Sequence, residues 1–352
     1  MTRVLFPAWN MDSINWARLQ NTLKPIAERN ELLVIYPDHI PEVSEAWATF
    51  IRIPSYRQFR MVDMKMMTDY VVKILMKAPD FDVIYSFSSG PFFQMISTVI
   101  ARMSGRPCIM HINGHGALAR SFYMKAVEKL KEDVVDTITL NNVDRLVPIS
   151  SHLRDVIRER VLDPSRVIDP VPFSVDLEAF QLGPMPSKFC IGYAGRISPE
   201  KGTEFLLQVM AETPEIKYRA VGPIEKLDGK FPDNCNYTGV FEHFKMFHFY
   251  HLCSILTLPS YGEGISAQIL EAYACGRGII CTPEAHPDEL PVFGYEVPLD
   301  LEAWKKTVRN ISNMEALKKG RQARQWLEEN WPSWDDFGDR MTKIFLDAVS
   351  NK

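Results

Sequence analysis

The sequence of 352 residues lacks the features that mark membrane-spanning and secreted proteins. No run approaches the roughly eighteen apolar residues that a membrane-spanning helix requires. The amino terminus is a short apolar stretch with Arg3 inside it, without the long apolar core and small-residue cleavage site of a secretory signal. We therefore expect a protein of the cytoplasm, either free or bound peripherally at the inner face of a membrane.

Paired cysteines are missing as well. The six cysteines include no C-x-x-C pair, and most lie in apolar stretches typical of a protein core. This pattern predicts reduced, buried thiols in a cytosolic protein and argues against both a disulfide framework and a cysteine metal site.

An excess of basic charge is also absent. Lysine and arginine number 40 against 44 acidic residues, which gives a formal net charge of −4 at pH 7 and disfavours nucleic acid as a partner. The first predicted strand is not followed by G-x-G-x-x-G, which argues against a Rossmann dehydrogenase. An apolar content of 46% with 24% charged residues is ordinary for a globular protein, and the length permits two domains.

Short apolar strands alternate with helical patterns along most of the chain. The first half contains predicted strands at residues 4–6, 32–36, 83–87, 108–112 and 146–149, and the second half at 190–194, 218–221, 236–238, 255–258 and 278–281. Such alternation predicts α/β domains built on parallel sheets with crossover helices. Residues 181–188, QLGPMPSK, are rich in proline and glycine and are interpreted as a hinge between the two halves.

The stretch 259–276, PSYGEGISAQILEAYACG, follows a buried apolar run and predicts a strand, a tight loop and a helix. The first free backbone N–H groups of that helix, near Ser266, Ala267 and Gln268, form a seat for an anion such as a diphosphate. Glu263 in the loop and Glu271 in the helix bracket this seat, a separation that suits two parts of one nucleotide-sugar. The alternative is a solvated loop glutamate and an ordinary helix glutamate.

A second strand, loop and helix occupy residues 189–210, FCIGYAGRISPEKGTEFLLQVM. Arg196 and Lys201 lie just after the strand, where ligands bind in open α/β sheets. An arginine fork and a lysine point charge together suit a leaving diphosphate, whereas a basic loop taken alone is usually solvated surface. Gly222 with Pro223, after the strand at 218–221, either approaches the nucleotide base or forms a simple turn.

GRISPEKG followed by EGISAQILEA resembles the retaining, nucleotide-sugar-dependent glycosyltransferases of family 4, which have the GT-B fold. Glu263 and Glu271 match the two glutamates of the family's E-x7-E motif. The resemblance implies that Glu271 contacts the ribose hydroxyls, Glu263 the sugar hydroxyls, and Arg196 with Lys201 the phosphates. The implied donor site also includes the backbone at Gly195, Gly222, Gly264, Ile265, Ser266 and Ala267.

The resemblance implies two Rossmann-like parallel-sheet domains facing each other across a cleft, with the last helix crossing back to the first domain. We expect residues 1–182 on the acceptor side, 189–330 as the donor-binding domain, and 331–352 as the returning helix. The first half resembles the family more faintly, through stretches such as DVIYSFSSGPFF and GRPCIMHINGHG.

The acceptor side departs most from the family. Asn113 stands where the family often has a histidine, and His115 follows two residues later between glycines, a position from which it could touch a sugar hydroxyl or simply be solvated. Asn10 lies in the loop after the first strand and is a third candidate sugar contact. Ser266 replaces an expected glycine, and Phe173-Ser174 replaces the usual Asn-Gly.

The expected activity is sugar transfer from a nucleotide-diphosphate sugar, the only co-substrate required, to a hydroxyl of a glycan, a lipid-linked or a small-molecule acceptor. No cofactor and no metal ion are needed in this scheme, because the protein supplies the positive charge. Two alternatives stay open: a sugar-nucleotide epimerase on the same fold, and a non-catalytic sugar-nucleotide-binding subunit, which the departures at Asn113, Phe173-Ser174 and Ser266 suggest.

Two further patterns have competing interpretations. Residues 50–77 carry six basic and two acidic residues interleaved with aromatics and methionines, typical either of docking on an anionic membrane surface or of a solvated helix. His243, His248 and His251 resemble metal ligands, but their helical, aromatic context favours packing over zinc.

Overall fold

The computed structural model describes residues 1–8, 13–37, 43, 45–53, 64–78, 80–87, 91–114, 134–227 and 229–351. Among these residues the chain divides into two compact units. One unit contains the described residues up to Phe173 together with 334–351, and the other contains residues 174–333. The last helix therefore belongs to the unit that holds the amino terminus.

The first unit is built on a six-stranded parallel sheet in the order β3-β2-β1-β4-β5-β6. Most of its strands are predominantly apolar and buried, as expected of a parallel sheet covered by helices on both faces. The strands are β1 Arg3–Pro7, β2 Glu31–Pro37, β3 Thr49–Ile53, β4 Val83–Phe87, β5 Cys108–Ile112 and β6 Arg145–Pro148. The helices are α1 Ser13–Ala27, α2 Met64–Lys77, α3 Pro91–Ser104 and α4 Ser151–Arg158, with a further helical segment at 134–140.

The carboxyl-terminal helix, α10 Trp334–Ser350, packs against α1 and completes the core of the first unit. Phe337, Met341 and Phe345 are buried in the same cluster as Leu23 and Ile26. Arg29, at the end of α1, forms ion pairs that hold the two helices together at their polar rim, with Asp335 at 3.0 Å and with Asp339 at 2.5 Å.

The second unit repeats the same architecture, with a parallel sheet in the order β12-β11-β10-β7-β8-β9. Its strands are β7 Cys190–Ala194, β8 Lys217–Val221, β9 Cys235–Tyr237, β10 Ile255–Leu258, β11 Gly278–Cys281 and β12 Gly294–Glu296. Its helices are α5 Thr203–Glu212, α6 Met246–His251, α7 Ala267–Ala274, α8 Leu301–Asn310 and α9 Asn313–Asn330. Both units thus have the doubly wound Rossmann strand order, and the predicted parallel α/β fold is confirmed.

The proline-rich segment 181–188, which was interpreted as a hinge, lies within the second unit, and side chains of that unit bind its backbone carbonyl groups. Arg277 donates to Gly183 and Pro184, and Asn313 donates to Pro186. Proline and glycine prevent this segment from forming regular structure, but its carbonyl groups remain available as acceptors. The units divide earlier, between Phe173 and Ser174, and again between Ser333 and Trp334.

A buried histidine lies at the centre of the first unit. His111 on β5 is fully buried, its Nδ1 is 2.9 Å from the Tyr85 hydroxyl, and its Nε2 is 2.8 Å from the Val171 carbonyl. The ring stacks on Phe337 of α10 at 5.8 Å. A neutral imidazole satisfies both contacts, with Nε2–H donating to Val171 and Nδ1 accepting from Tyr85.

We predict that His111 makes the first unit less stable in acid. Burial lowers the pKa of His111 from 6.5 to about 3, so between these values the unfolded chain binds a proton that the folded chain does not. The contribution of neutral His111 to the free energy of unfolding is therefore complete above pH 6.5. It is lost as the pH decreases towards 3, by up to about 1.4 kcal/mol per pH unit. Urea denaturation of wild type and His111→Gln at pH 7 and pH 5 measures this contribution.

Burial also lowers the pKa values of His251 and His286. Both residues are present in wild type and in His111→Gln, so their effects on the pH dependence of stability cancel when the two proteins are compared. We expect the loss of stability between pH 7 and pH 5 to be smaller in His111→Gln than in wild type by about 2 kcal/mol. An identical pH dependence in the two proteins would contradict the prediction.

Candidate functional site

The candidate site lies at the carboxyl ends of β7, β8 and β10 in the second unit. In the strand order of this sheet the chain runs outwards from β7 through β8 to β9, and then returns to place β10 on the other side of β7. The loops after β7 and β10 therefore leave the sheet at its topological switch point. Ligands of open α/β sheets bind at this position, and both loops carry residues predicted from the sequence.

The loop after β7 presents Arg196 in a backbone conformation fixed by its neighbours. The Tyr193 hydroxyl, fully buried, donates to the Arg196 carbonyl at 2.5 Å, and the Gly195 amide donates to the Val221 carbonyl at 3.0 Å. Gly222 has a φ of 135°, and a Cβ atom at this position would overlap the Gly195 carbonyl oxygen. The ends of β7 and β8 thus touch through backbone atoms alone, which explains a glycine at 222.

The two predicted cations are both paired with carboxylates. Arg196 Nη1 lies 2.9 Å from Glu225 Oε2 and 3.2 Å from Glu200 Oε1, and its side chain is 44% exposed. Lys201 Nζ lies 2.5 Å from Glu263 Oε1, and these two side chains are 20% and 12% exposed. The structure therefore brings Lys201 and Glu263 into direct contact, while Arg196 contacts two carboxylates that were not predicted from the sequence.

The loop after β10 is held by backbone hydrogen bonds to neighbouring segments. The Tyr261 amide donates to the Glu200 carbonyl at 3.2 Å, and the Glu263 amide donates to the Glu284 carbonyl at 3.1 Å. The Pro199–Lys201 turn, the β10 loop and the Pro283–Ala285 turn therefore form one connected edge. This arrangement orients Lys201 and Glu263 without depending on their own ion pair.

The amino terminus of α7 opens towards this edge. Gly264, Ile265 and Ser266 are buried, and Ser266 caps the helix without a side-chain hydrogen bond. In the part of the chain that the structure describes, no carbonyl group accepts from the amides of Ile265, Ser266, Ala267 or Gln268. The buried Gln268 side chain donates to the Thr257 carbonyl at 3.1 Å and ties this first turn to β10. Such unpaired amides at a helix amino terminus suit an anion.

Glu271 lies one turn further along α7, and this residue is only 5% exposed. Its Oε1 accepts from His243 Nε2 at 3.0 Å and its Oε2 accepts from the Tyr250 hydroxyl at 2.7 Å. Neither partner was identified from the sequence as a site residue. His243 was considered only as a metal ligand, and Tyr250 lies in the same aromatic stretch.

The three histidines of that stretch do not converge. His243 contacts Glu271, the His251 ring nitrogen contacts the Gln181 carbonyl at 2.8 Å, and His248 packs against Phe247. Among the described residues no group of three or more histidine, cysteine, aspartate or glutamate side chains has the arrangement of a metal site. His243 and His251 thus form hydrogen bonds, whereas His248 contacts an aromatic ring.

Of the residues expected on the acceptor side, Asn113 belongs to the first unit. Asn113 directly follows β5 and is half-buried, and its side-chain oxygen is buried without a hydrogen-bond partner among the described residues. Asn10 and His115 lie outside the described residues, as do residues 54–63 of the basic stretch 50–77. Within the described ranges no helix combines the length and the apolar content needed to cross a membrane.

Residues 188–313, which contain the whole of this site, match the family model of glycosyl transferases group 1. An uncharacterised glycosyltransferase of Methanocaldococcus jannaschii is 20% identical over 302 residues, which are 77% of this chain and 76% of that protein. The D-inositol 3-phosphate glycosyltransferase of Mycobacterium ulcerans is 26% identical over 246 residues, 60% of this chain but only 52% of that protein.

Solved structures share the fold over the whole chain. Sucrose-phosphate synthase from Thermosynechococcus elongatus superposes with a TM-score of 0.84 at 15% identity and full coverage of both chains. An Escherichia coli structure described as trehalose-6-phosphate bound with UDP-2-fluoro glucose gives a TM-score of 0.71 at 10% identity, covering 98% of this chain and 99% of that chain. The two-unit fold is therefore that of GT-B proteins, and residues 188–313 are similar to the glycosyl transferases group 1 family.

Proposed function

We propose that the protein transfers a sugar from a nucleotide-diphosphate sugar to a hydroxyl group of an acceptor. One observation carries the proposal: Arg196, Lys201 and the open amino terminus of α7 all lie at the switch point of the second sheet. The domain that contains them matches a glycosyltransferase family. Two fixed cations and a helix amino terminus suit the two phosphates of such a donor.

In this proposal the diphosphate replaces carboxylates as the partner of the two cations. Lys201 leaves Glu263 for a phosphate oxygen, and Arg196 turns from Glu225 and Glu200 to the other phosphate. Glu263, released from its ion pair, then accepts hydrogen bonds from hydroxyl groups of the donor sugar. The exchange requires little movement, because backbone contacts hold the loops after β7 and β10 independently of these ion pairs.

The chemical step in this scheme is helped mainly by electrostatic stabilisation. As the bond between the anomeric carbon and the diphosphate breaks, negative charge accumulates on the leaving phosphate. Lys201, Arg196 and the amides near Ala267 stabilise that charge more strongly in the transition state than in the bound donor. Because these groups supply positive charge, the proposal requires neither a metal ion nor a cofactor.

The finer assignments rest on the family resemblance. They are a retaining outcome at the anomeric carbon, membership of family 4, transfer of a hexose, and contact of Glu271 with the ribose hydroxyls. The UDP-2-fluoro glucose bound in the E. coli structure supports a sugar nucleotide as the donor. We assign a glycan, lipid-linked or small-molecule acceptor to the first unit, through Asn113, His115 and Asn10, and place the protein in the cytoplasm or on the inner membrane face.

A thermal-shift screen against UDP-, GDP- and ADP-sugars, with the free nucleotides and NAD as controls, tests the donor site. A ligand that binds only the folded protein at a hundred times its Kd stabilises it by about 2.7 kcal/mol. We expect a clear rise in Tm with one nucleotide family in wild type and none in Glu271→Ala. No rise with any sugar nucleotide would contradict the proposal, and a rise with NAD alone would replace it with a dinucleotide site.

Binding without turnover would point to the non-catalytic alternative, and isomerised sugar nucleotide without transfer would point to an epimerase. Mass spectrometry of the donor pool after incubation with and without acceptor distinguishes these two results from sugar transfer.

A further inference from the structure

The carboxylate of Glu271 is held from two sides by donors on a single stretch of chain. His243 belongs to the turn His243–Lys245 and Tyr250 to α6, which follows it directly. Each of them donates to a different oxygen of Glu271. Two donors on two oxygens fix both the position and the rotation of the carboxylate plane, which one hydrogen bond could not do.

Contacts to His243 and Tyr250 do not exclude a ligand from the same oxygens. Each oxygen of a carboxylate has two lone pairs and can accept more than one hydrogen bond. Two neighbouring hydroxyls of a ribose suit a carboxylate whose two oxygens are held in one orientation. The internal hydrogen bonds therefore prepare Glu271 for a diol ligand instead of blocking it, and they spare the ligand the entropy of ordering the side chain.

The two donors are themselves immobilised. Phe180, which is 3% exposed, lies edge-on to both rings, with centroid distances of 5.5 Å to His243 and 6.1 Å to Tyr250. Arg324 donates to the Phe180 carbonyl at 2.9 Å, and the fully buried Arg277 donates to the Tyr250 carbonyl at 3.1 Å. Phe180 and the two arginines thus hold His243 and Tyr250 in place beside Glu271.

We propose that His243 and Tyr250 are positioning residues that orient the Glu271 carboxylate for the ribose of the nucleotide. This inference rests on the proposed function and adds to it two residues that act through Glu271 and do not contact the reacting atoms. Its signature is a loss of nucleotide affinity with turnover at saturating donor largely preserved, because the phosphate contacts at Lys201 and Arg196 are left intact.

The experiment is calorimetric titration of the full-length protein with free UDP, GDP and ADP, followed by donor kinetics with the nucleotide that binds. The test variants are His243→Ala, Tyr250→Phe and His243→Gln, the last of which restores an N–H donor at a similar reach. The matched controls are His248→Ala, a histidine of the same stretch that packs on Phe247, and Tyr218→Phe, whose hydroxyl contacts Thr213. Glu271→Ala defines the full loss.

We expect Kd for the nucleotide and KM for the donor to rise about tenfold in His243→Ala and Tyr250→Phe, since each loses one hydrogen bond to a charged group. We expect kcat to fall less than about threefold, because an interaction shared by ground and transition states affects KM alone. His243→Gln should recover affinity to within about threefold of wild type, and both controls should bind like wild type.

Wild-type affinity in His243→Ala and Tyr250→Phe, together with a large loss in Glu271→Ala, would overturn the positioning role while leaving the proposed function intact. Equal losses in His243→Gln and His243→Ala would also overturn it, because they would indicate a packing role for the ring. Absence of nucleotide binding in the wild type would overturn the proposed function itself, and this inference with it.

Discussion

Replacement of Lys201 by alanine is expected to lower turnover by about a hundredfold or more while the protein stays folded. The lysine is the less exposed of the two cations at the switch point and is the one in contact with Glu263. In the proposed mechanism, loss of its charge removes a stabilising partner of the leaving diphosphate, an effect that grows as the bond to the anomeric carbon breaks. The measurement is the rate of nucleotide release at saturating donor, using the donor that the thermal-shift screen identifies.

The same substitution also has a structural effect that must be separated from the chemical one. Lys201→Ala leaves Glu263, whose side chain is 12% exposed, without its cation, and we expect this to cost about 1–2 kcal/mol of stability. Adding Glu263→Gln removes the unpaired charge, so the double variant should recover stability but not turnover. Lys226→Ala, an exposed lysine beyond β8, is the matched control and should behave like wild type.

Near-normal turnover in Lys201→Ala would contradict the assignment of this lysine to the phosphates. The assignment would also be contradicted if the double variant recovered both stability and turnover. That result would show that Lys201→Ala lowers turnover only by destabilising the fold.

Replacement of Gly202 by alanine is expected to destabilise the second unit by about 3 kcal/mol or more. Gly202 has a φ of 65°, and a Cβ atom there would overlap the Pro259 carbonyl oxygen, which belongs to rigid backbone. A side chain must therefore push apart the turn that carries Lys201 and the loop that carries Glu263. Turnover should fall along with stability, since this contact sets the distance between the two loops.

Alanine substitutions at two other glycines distinguish the cost of backbone strain from the cost of the clash with Pro259. The measurement is chemical denaturation of each variant. Gly239 has a φ of 77° with nothing within 4 Å of an added Cβ, so Gly239→Ala should cost about 1 kcal/mol from backbone strain alone. Gly262, in the β10 loop, has neither a positive φ nor a close neighbour, and Gly262→Ala should change stability by less than about 0.5 kcal/mol. Equal costs at 202 and 239 would show that the Pro259 contact adds nothing.

The elements of the fold were largely predictable, because each depends on local periodicity. β4, β5, β7, β10 and β11 have the predicted bounds, and α7 lies within the stretch 259–276, where a helix was predicted. The strands β3 and β12, which form outer edges of the two sheets, were not predicted. β3 is mostly half-buried or exposed and β12 has only three residues, so neither carries the continuous apolar run that marks the central strands.

The candidate site was predictable in part for the same reason. Gly195, Arg196 and Lys201, and the stretch from Glu263 to Ala267, directly follow recognisable strands, and parallel strands bring their carboxyl ends to one edge. The partners of these residues were not predictable. His243 was considered only as a metal ligand, and nothing local to it indicates a contact with Glu271, 28 residues away.

What the sequence determined by itself was the alternation of strands and helices, the glycines and charges at the strand ends, and hence the parallel α/β fold with charged loops after β7 and β10. Only the tertiary structure decided which charges meet. The pairing of Lys201 with Glu263 spans 62 residues, and the contact of His111 with Val171 spans 60. Local patterns follow from the geometry of neighbouring residues, whereas contacts between distant residues depend on strand order and on the packing of helices across the sheet.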